Sequence, residues 1–386
     1  METSCTVSFR GGTGKIVGLS ALKESDAWRQ AFASKAKDHR FYEIIEETLD
    51  SGFEHHYLVL EDESGRVRAI QPLFLVRQNL VEGVPSVRRL VDSVRRLFPR
   101  FLTTRIMMVG CAAGEGHLGT CAEGDDDWVA IGLHATLEHC ARHFGAALIV
   151  FKDFPASYRE LFERFSENGY ARVPSMPLTT LALRHADFDE YLNSLGSSTR
   201  KDLRRKFRRI EKAAPIELSI PPDVTPYVDD IYPLYLEVHE RSDQRFETLT
   251  RSYFRALAKQ MPDRAKFFLW RQGGRVIAFS LCLVHDGVIY DDYLGLNYAV
   301  ALDLHLYFKT IRDVLAWALA EGLHSYRSSP LNYRPKLHLG CSLLPLDLYV
   351  MHTNRWLKPI FRHVLPLVGP TRHDPVLKQF PNAHEL

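Results

Sequence analysis

Two short polar turns constrain this chain more than any other feature. At residues 56–76, "HYLVLEDESGRVRAIQPLFLV" has two apolar runs joined by a polar turn with Gly65, the pattern of a β-hairpin. The device returns at 267–284, where "FFLWRQGGRVIAFSLCLV" turns at Gly273-Gly274, and a third run, "VIYDDYLGL", follows the Asp286-Gly287 turn. After the first hairpin come a strand "RIMMVG", a helix over 127–144, a strand "AALIVF" and a helix ending in "SENGYARV". After the second come the helix "LYFKTIRDVLAWALAEG" and a strand-like "LHSYR". Hairpin, strand, helix and strand therefore recur in each half, a structural duplication without close sequence repeat. A chain of 386 residues is too long for one ordinary core. "PSMPLTTLALR" marks the boundary near residues 170–185, giving domains 1–175 and 176–386. An α/β (α+β) class follows, with mixed, mostly antiparallel sheets flanked by helices.

Directly after that boundary stands "STRKDLRRKFRRIEKAAP", residues 198–215. Thr199 and Asp202 have capping-box spacing and Pro215 ends the pattern, which predicts a helix over 199–213. Leu203, Phe207 and Ile210 fall on one face, with Arg204, Arg205, Arg208 and Arg209 around it, and Arg200, Arg204, Arg205 and Arg208 are the candidate phosphate contacts. Between Thr199 and Lys212 the local charge is +6, in a chain whose net charge is only +2. The patch is thus a local exception: either a solvated helix face, or a phosphate-binding surface for a nucleotide cofactor or an RNA acceptor stem. The near-neutral total argues against a protein coated with charge for nucleic acid.

The six cysteines form no C-x-x-C pair, so neither a zinc site nor a disulfide scaffold is expected. His55 and His56 are adjacent and point to opposite faces of a strand, which disfavours a shared metal. No metal centre and no permanently bound cofactor are expected. The N-terminus lacks an apolar core of signal-peptide length, and no run reaches the roughly 18 apolar residues of a membrane span. The expected location is the cytoplasm, with peripheral membrane contact. Two segments suggest that contact: "VRRLVDSVRRLFPRFL", 87–102, with its arginines off an apolar stripe, and "RWLKPIFRHVLPLVG" near the C-terminus.

"FDEYLNSLGSSTRKDLRRKFRRIEK", "IYPLYLEVHERSDQRFETLTRSYFRAL", "FFLWRQGGRVIAFSLCLV" and "YRPKLHLG", in that order, resemble bacterial proteins of the GNAT superfamily related to FemAB-type peptidyl transferases and BioF2-like acetyltransferases. The resemblance covers roughly residues 40–380. It implies two tandem GNAT-like domains and acyl or aminoacyl transfer to an amine. The chain departs from acetyl-CoA-dependent relatives at the phosphate loop, because "LNYAVALDLHLYFK" has no glycine after Gly295. In the first half, "GCAAGEGHLG" is formally G-x-G-x-x-G, but without the Arg/Gln those relatives carry.

The same resemblance designates site residues. Lys336 matches the family's lysine in "YRPKLHLG", where an ammonium stabilises an oxyanion or binds phosphate, and Tyr333 of the same element is a substrate contact. Tyr293 lies on the strand that borders the acyl donor. Arg241 and Arg245, in "HERSDQRFE", match arginines placed for substrate anions, and His305 stands at the start of the helix facing the donor. Asp291 and Asp292 are unusual in a β-run, and a carboxylate lining a cleft orients or deprotonates an amine. No G-x-S-x-G elbow or cysteine in a basic setting provides a covalent nucleophile, so direct attack by the acceptor is the economical mechanism. The leading expectation is an N-acyltransferase using acyl-CoA as co-substrate. Its rivals are aminoacyl-tRNA as donor, and a non-catalytic GNAT-like module that binds an envelope precursor or a partner protein.

Overall fold

The computed structural model describes residues 5–49, 52–79, 103–242, 245–367 and 369–386, so the arginine-bearing stripe at 87–102 lies outside the described residues. In chain order the strands are β1 (Thr6–Phe9), β2 (Gly12–Val17), β3 (Phe53–Asp62), β4 (Val67–Asn79), β5 (Thr103–Val109), β6 (Leu148–Pro155), β7 (Ala171–Ala182), β8 (Ile216–Ser219), β9 (Ala265–Gln272), β10 (Arg275–His285), β11 (Val288–Leu296), β12 (Ser325–Ser328) and β13 (Ser342–His352). The α-helices are α1 (Asp26–Ala31), α2 (His39–Thr48), α3 (Asp126–His143), α4 (Arg159–Glu167), α5 (Phe188–Ser194), α6 (Ser197–Glu211), α7 (Val228–Arg241), α8 (Arg251–Gln260), α9 (Tyr298–Ala301), α10 (Leu306–Ala320), α11 (Tyr333–His338) and α12 (Lys358–Val364).

The chain divides into two compact units: Met1–Ala33, Ser51–Ser175 and Leu346–Arg372 form the first, and Ser34–Asp50, Met176–Pro345 and His373–Leu386 the second. A single cut at 175/176 does not describe this division, because residues 34–50 pack into the second unit and 346–372 into the first. In the first unit the strand order is β1-β2-β3-β4-β5-β6-β13; in the second it is β7-β12-β11-β10-β9-β8. β5 and β6 run parallel, as do β11 and β12. Each unit is therefore a mixed sheet in which a hairpin leads into a parallel pair through a helical crossover.

Turn chemistry sets the registers. Gly273 and Gly274 between β9 and β10 have φ of 55° and 79°, and Asp286 and Gly287 between β10 and β11 have 48° and 67°. Left-handed conformation at both central positions gives the turn twist that matches the strands, which is why glycine and aspartate occur there.

In the second unit the sheet has two distinct faces. Phe268, Trp270, Ala278, Cys282 and Tyr326 pack with α5, α6 and α10. Phe279, by contrast, meets Phe254 of α8 at 5.8 Å, and Tyr293 meets Tyr235 of α7 at 6.2 Å. Trp270 is fully buried, which contributes ~2–3 kcal/mol. Its indole N–H donates to Asp313 at 2.7 Å, so the burial leaves no unpaired donor.

The basic helix α6 starts at Ser197 rather than Thr199 and is capped by Gly196 without a side-chain bond. The capping box expected from Thr199 and Asp202 does not form, because both already lie inside the helix. Asp202 instead pairs with Arg205 at 2.6 Å, with Lys206, and with His338 at 3.2 Å. The expected apolar face is intact: Leu203, Phe207 and Ile210 are its buried residues.

Candidate functional site

Strand β11 carries a bulge. Leu281 of β10 pairs with Tyr293 and Cys282 with Asp291, so Asp292 has no partner across that ladder. Beyond the bulge, β11 runs on to Leu296, but its pairing with β12 ends at Asp291–Ser328. The parallel pairing thus ends at Asp291, whose carbonyl accepts a last hydrogen bond from the Ser329 N–H at 3.2 Å.

On the α10 face, Asp291 accepts hydrogen bonds from Ser280 and, at 2.8 Å, from the Tyr326 hydroxyl. Burial raises its pKa above the ordinary carboxylate value, against the opposing pull of these donors and of the Lys336 charge. Lys336, on α11, is buried and donates to the Ser329 carbonyl. Burial lowers its pKa to about 8, while Cys341 and Asp291 pull the other way. An ammonium that exchanges its proton near neutrality and a carboxyl with raised affinity for one therefore act on each other in one cluster. Tyr333 is buried at the other end of α11: its hydroxyl donates to the Pro177 carbonyl at 2.8 Å, and Lys336 Nζ lies 5.8 Å from its ring centroid.

Tyr293, expected beside Lys336, lies on the opposite face. The bulge reverses the side-chain alternation, so Asp291 and Tyr293, two positions apart, point to different sides. The Tyr293 hydroxyl donates to Glu247 at 2.9 Å, and the ring packs 6.2 Å from Tyr253. Nearby on α7, His239 stacks on Tyr235 at 5.4 Å and contacts the Thr248 hydroxyl at 3.1 Å. Burial lowers the His239 pKa, with Arg245 pulling in the same direction and Glu247 against it. Arg241 is exposed, lies 4.1 Å over the Tyr298 ring and donates to the Glu237 carbonyl at 2.7 Å. Arg245 is exposed. The bulge residue Asp292 pairs with Lys37 at 3.2 Å.

The arginines of α6 separate into two groups. Arg200, Arg204 and Arg208 line a groove of about 960 Å³ together with Lys201 and Arg312. Arg200 and Arg204 donate to Asn193 at 2.7 Å each, so their charges meet neutral acceptors. Arg205 lies on the adjacent flank with Lys206 and Arg209. These three charges help hold the His305 imidazole pKa below its ordinary value, after burial as the first cause. His305 is the N-cap of α10, with φ 46° and no side-chain cap, and Lys206 Nζ lies 4.6 Å from the Phe308 ring centroid. A positive helix end and three cations therefore share one place with the carboxylates they pair with, Asp202 for Arg205 and Lys206, and Asp303 for Arg209 at 3.7 Å. The first turn of α10 links this place to the acid–base cluster, since the Asp291 charge acts on the buried Tyr307 hydroxyl.

The glycines of "GCAAGEGHLG" serve internal packing. A Cβ on Gly116 would stand 2.5 Å from the Lys152 carbonyl oxygen, and one on Gly119 would stand 2.0 Å from that of Ile70. Gly116 N–H donates to Asp153 at 3.0 Å, and Gly119 N–H to Gln71 at 3.2 Å. The loop closes on its own unit, and α3 begins only at Asp126. His55 and His56 separate as expected: one ring lies 6.1 Å from Phe74 and the other stacks on Phe144 at 4.5 Å.

The sequence reading passes over Ser280, Tyr326, Glu247, His239 and Lys37. Ser280 sits in an apolar strand run and Tyr326 in the short polar strand Ser325–Ser328, with nothing local to distinguish either. Lys37 precedes its partner by more than 250 positions, and only the packing of residues 34–50 into the second unit joins them.

Residues 197–334 match the family model of the acetyltransferase (GNAT) domain. No curated protein matches the chain. Among solved structures, FemX shares 11% identity with a TM-score of 0.55, covering 88% of this chain and 98% of its own. L-PGS from Bacillus licheniformis shares 13% identity with a TM-score of 0.50, covering 86% of this chain and 95% of its own. The overall architecture is that of tandem GNAT-like domains, and residues 197–334, which carry Asp291 and Tyr293, form an acyltransferase domain. Residues 197–334 are thus similar to the acetyltransferase (GNAT) domain, and the fold of the chain is similar to that of FemX.

Proposed function

We propose that the protein is an N-acyltransferase that moves an acyl group from acyl-CoA to a primary amine by direct attack. The observation that carries this reading is the interacting Asp291–Lys336 cluster at the point where the β11–β12 pairing ends, with the Asp291 charge acting on Tyr307 in the first turn of α10. The thioester carbonyl is taken up beside Asp291, past the end of that pairing. The donor's phosphates rest on the first turn of α10 with Arg205, Lys206 and Arg209, which replaces the missing glycine loop by side-chain charge. As the amine attacks, its proton passes to Asp291, whose raised proton affinity makes it the better base. Lys336 stabilises the developing oxyanion and returns a proton to the departing sulfur, so the C–N bond forms as the C–S bond breaks and the products are an amide and free thiol. Tyr293 and Glu247 on the opposite face, with Arg241 and Arg245, recognise the acceptor. An acceptor of small-molecule or cell-envelope origin fits this face.

A second reading keeps the fold and changes the donor to aminoacyl-tRNA. It is favoured by the open groove in which Arg200, Lys201, Arg204, Arg208 and Arg312 stand among Asp187, Asp189, Glu211 and Asp313.

The deciding measurement is thermal stability with acetyl-CoA, a long-chain acyl-CoA, free CoA and tRNA. A ligand at a hundred times its Kd contributes about 2.7 kcal/mol. A shift with one acyl-CoA that disappears in Arg205→Gln/Arg209→Gln supports the thioester donor. A shift with tRNA alone, lost in Arg204→Gln/Arg208→Gln, transfers the assignment to the second reading. No shift with any donor, together with unaltered behaviour of Lys336→Met, leaves a non-catalytic binding module.

A further inference from the structure

The C-terminal segment of the first unit exposes an apolar stripe that the acyl-transfer reading does not use. Trp356, Ile360, Val364 and Leu367 are 72%, 54%, 49% and 60% exposed, and they recur at helical spacing from the turn before α12, through α12, to the 3-10 turn after it. Among the described residues only three other large apolar side chains are exposed, and they are scattered: Ile131, Leu218 and Leu302. The inward stripe of the same segment is apolar as well. Leu357, Phe361 and Leu365 are half-buried, and Phe361 packs 5.0 Å from His352 of β13. A helix apolar on both faces meets a second apolar phase on the face its own unit leaves open.

Charge identifies that phase. Between Thr353 and His373 the sequence has Arg355, Lys358, Arg362 and Arg372 and no Asp or Glu. Lys358 is anchored to Glu138 of α3 at 3.0 Å, which ties the segment to its unit. Arg355 lies 4.7 Å over the Trp356 ring, and Arg355, Arg362 and Arg372 are exposed. A short helix with an outward Trp, branched aliphatics and flanking arginines is matched to the interface of a bilayer. There the indole sits at headgroup depth and guanidinium groups meet phosphates. An acidic protein surface would satisfy the arginines but would bring polar groups against four exposed apolar side chains.

We propose that residues 355–367, which comprise α12 with the turn before it and the 3-10 turn after it, form an interfacial docking segment that seats the protein on an anionic lipid surface, with Trp356, Ile360, Val364 and Leu367 inserted and Arg355 and Arg362 at the headgroups. The proposal is independent of the donor and of whether the second unit is catalytic.

The experiment is co-sedimentation of the full chain with phosphatidylglycerol/phosphatidylcholine vesicles and with pure phosphatidylcholine vesicles, together with Trp fluorescence quenching by brominated lipid. Expected are partitioning at least tenfold stronger on the anionic vesicles, a decline with added salt, and quenching that disappears in Trp356→Phe. Partitioning should fall tenfold or more in Trp356→Ser/Ile360→Ser and in Arg355→Glu/Arg362→Glu. These positions are exposed, so the variants should melt as the wild type does. Equal partitioning of wild type and both variants, or no partitioning by the wild type, overturns the proposal. So does a concentration-dependent dimer that Trp356→Ser/Ile360→Ser abolishes without change in vesicle binding.

Discussion

Lys336 is both a chemical group and a stability term. Its pKa falls from 10.5 to about 8 because burial disfavours the charged form. Below pH 8 the folded and unfolded states both carry the proton, and the folded state bears the full penalty of roughly 3 kcal/mol. From pH 8 to 10.5 the unfolded chain holds a proton that the folded protein has released, so stability rises with pH across that window. Lys336→Met removes the penalty while keeping most of the side-chain volume. The variant should melt no lower than wild type at pH 7, lose the stability gain between pH 8 and 10.5, and lose at least a hundredfold in kcat. Calorimetry at several pH values with a turnover assay checks all three, and a variant that keeps its kcat removes Lys336 from the mechanism. For Asp291 the raised pKa has the opposite consequence for rate. Activity should fall on the acid side at a pH above the ordinary carboxylate range, and Asp291→Asn should abolish that limb in a kcat/KM profile while preserving an acceptor for Tyr326.

At the level of elements, the two flanks of α6 should separate functionally. Arg205 and Arg209 stand by the N-terminus of α10, while Arg204 and Arg208 face the groove. For an acyl-CoA donor, Arg205→Gln/Arg209→Gln should raise the donor KM about tenfold or more and flatten its salt dependence, with Arg204→Gln/Arg208→Gln within about twofold of wild type. Steady-state kinetics at two ionic strengths provides the test, and equal effects of the two pairs would end the division. The helix itself was legible from sequence because its apolar positions recur at i, i+4 and i+7, and the charge excess was plain. Its start was not, since Thr199 and Asp202 mimic a cap that Gly196 provides with backbone alone. The bulge was equally hidden: two positions apart in a regular strand, Asp291 and Tyr293 would share a face, and only the extra bulge residue Asp292 sends them to opposite faces. Hairpins announce themselves through glycine and aspartate at left-handed turn positions, whereas a bulge in a run such as "VIYDDYLGL" has no comparable local mark.

For the whole molecule, chain order and packing order diverge. Helix α2, early in the sequence, belongs to the second unit: Phe41 meets Tyr253 of α8 at 6.3 Å, Arg40 pairs with Asp263 at 2.7 Å, and Thr250 donates to the Thr48 carbonyl at 2.9 Å. The duplicated strand order made a two-part molecule readable, but a segment that leaves its sequence neighbours has no periodicity of its own to betray its destination. Phe41, Ile44 and Ile45 are all buried. Cutting them away exposes apolar surface worth ~1.5–3 kcal/mol for each side chain. It also removes Lys37, the ion-pair partner of the bulge residue Asp292. A fragment of residues 176–386 should therefore aggregate or melt at least ten degrees below the full chain. Fusing residues 34–50 to its N-terminus through a flexible linker should recover much of the lost stability. Tyr293 and Tyr253 provide the readout, because near-ultraviolet circular dichroism reports whether their packing returns. If the bare 176–386 fragment is as stable as the fused one, residues 34–50 contribute nothing to the second unit, and Lys37 loses any part in holding Asp292 at the bulge.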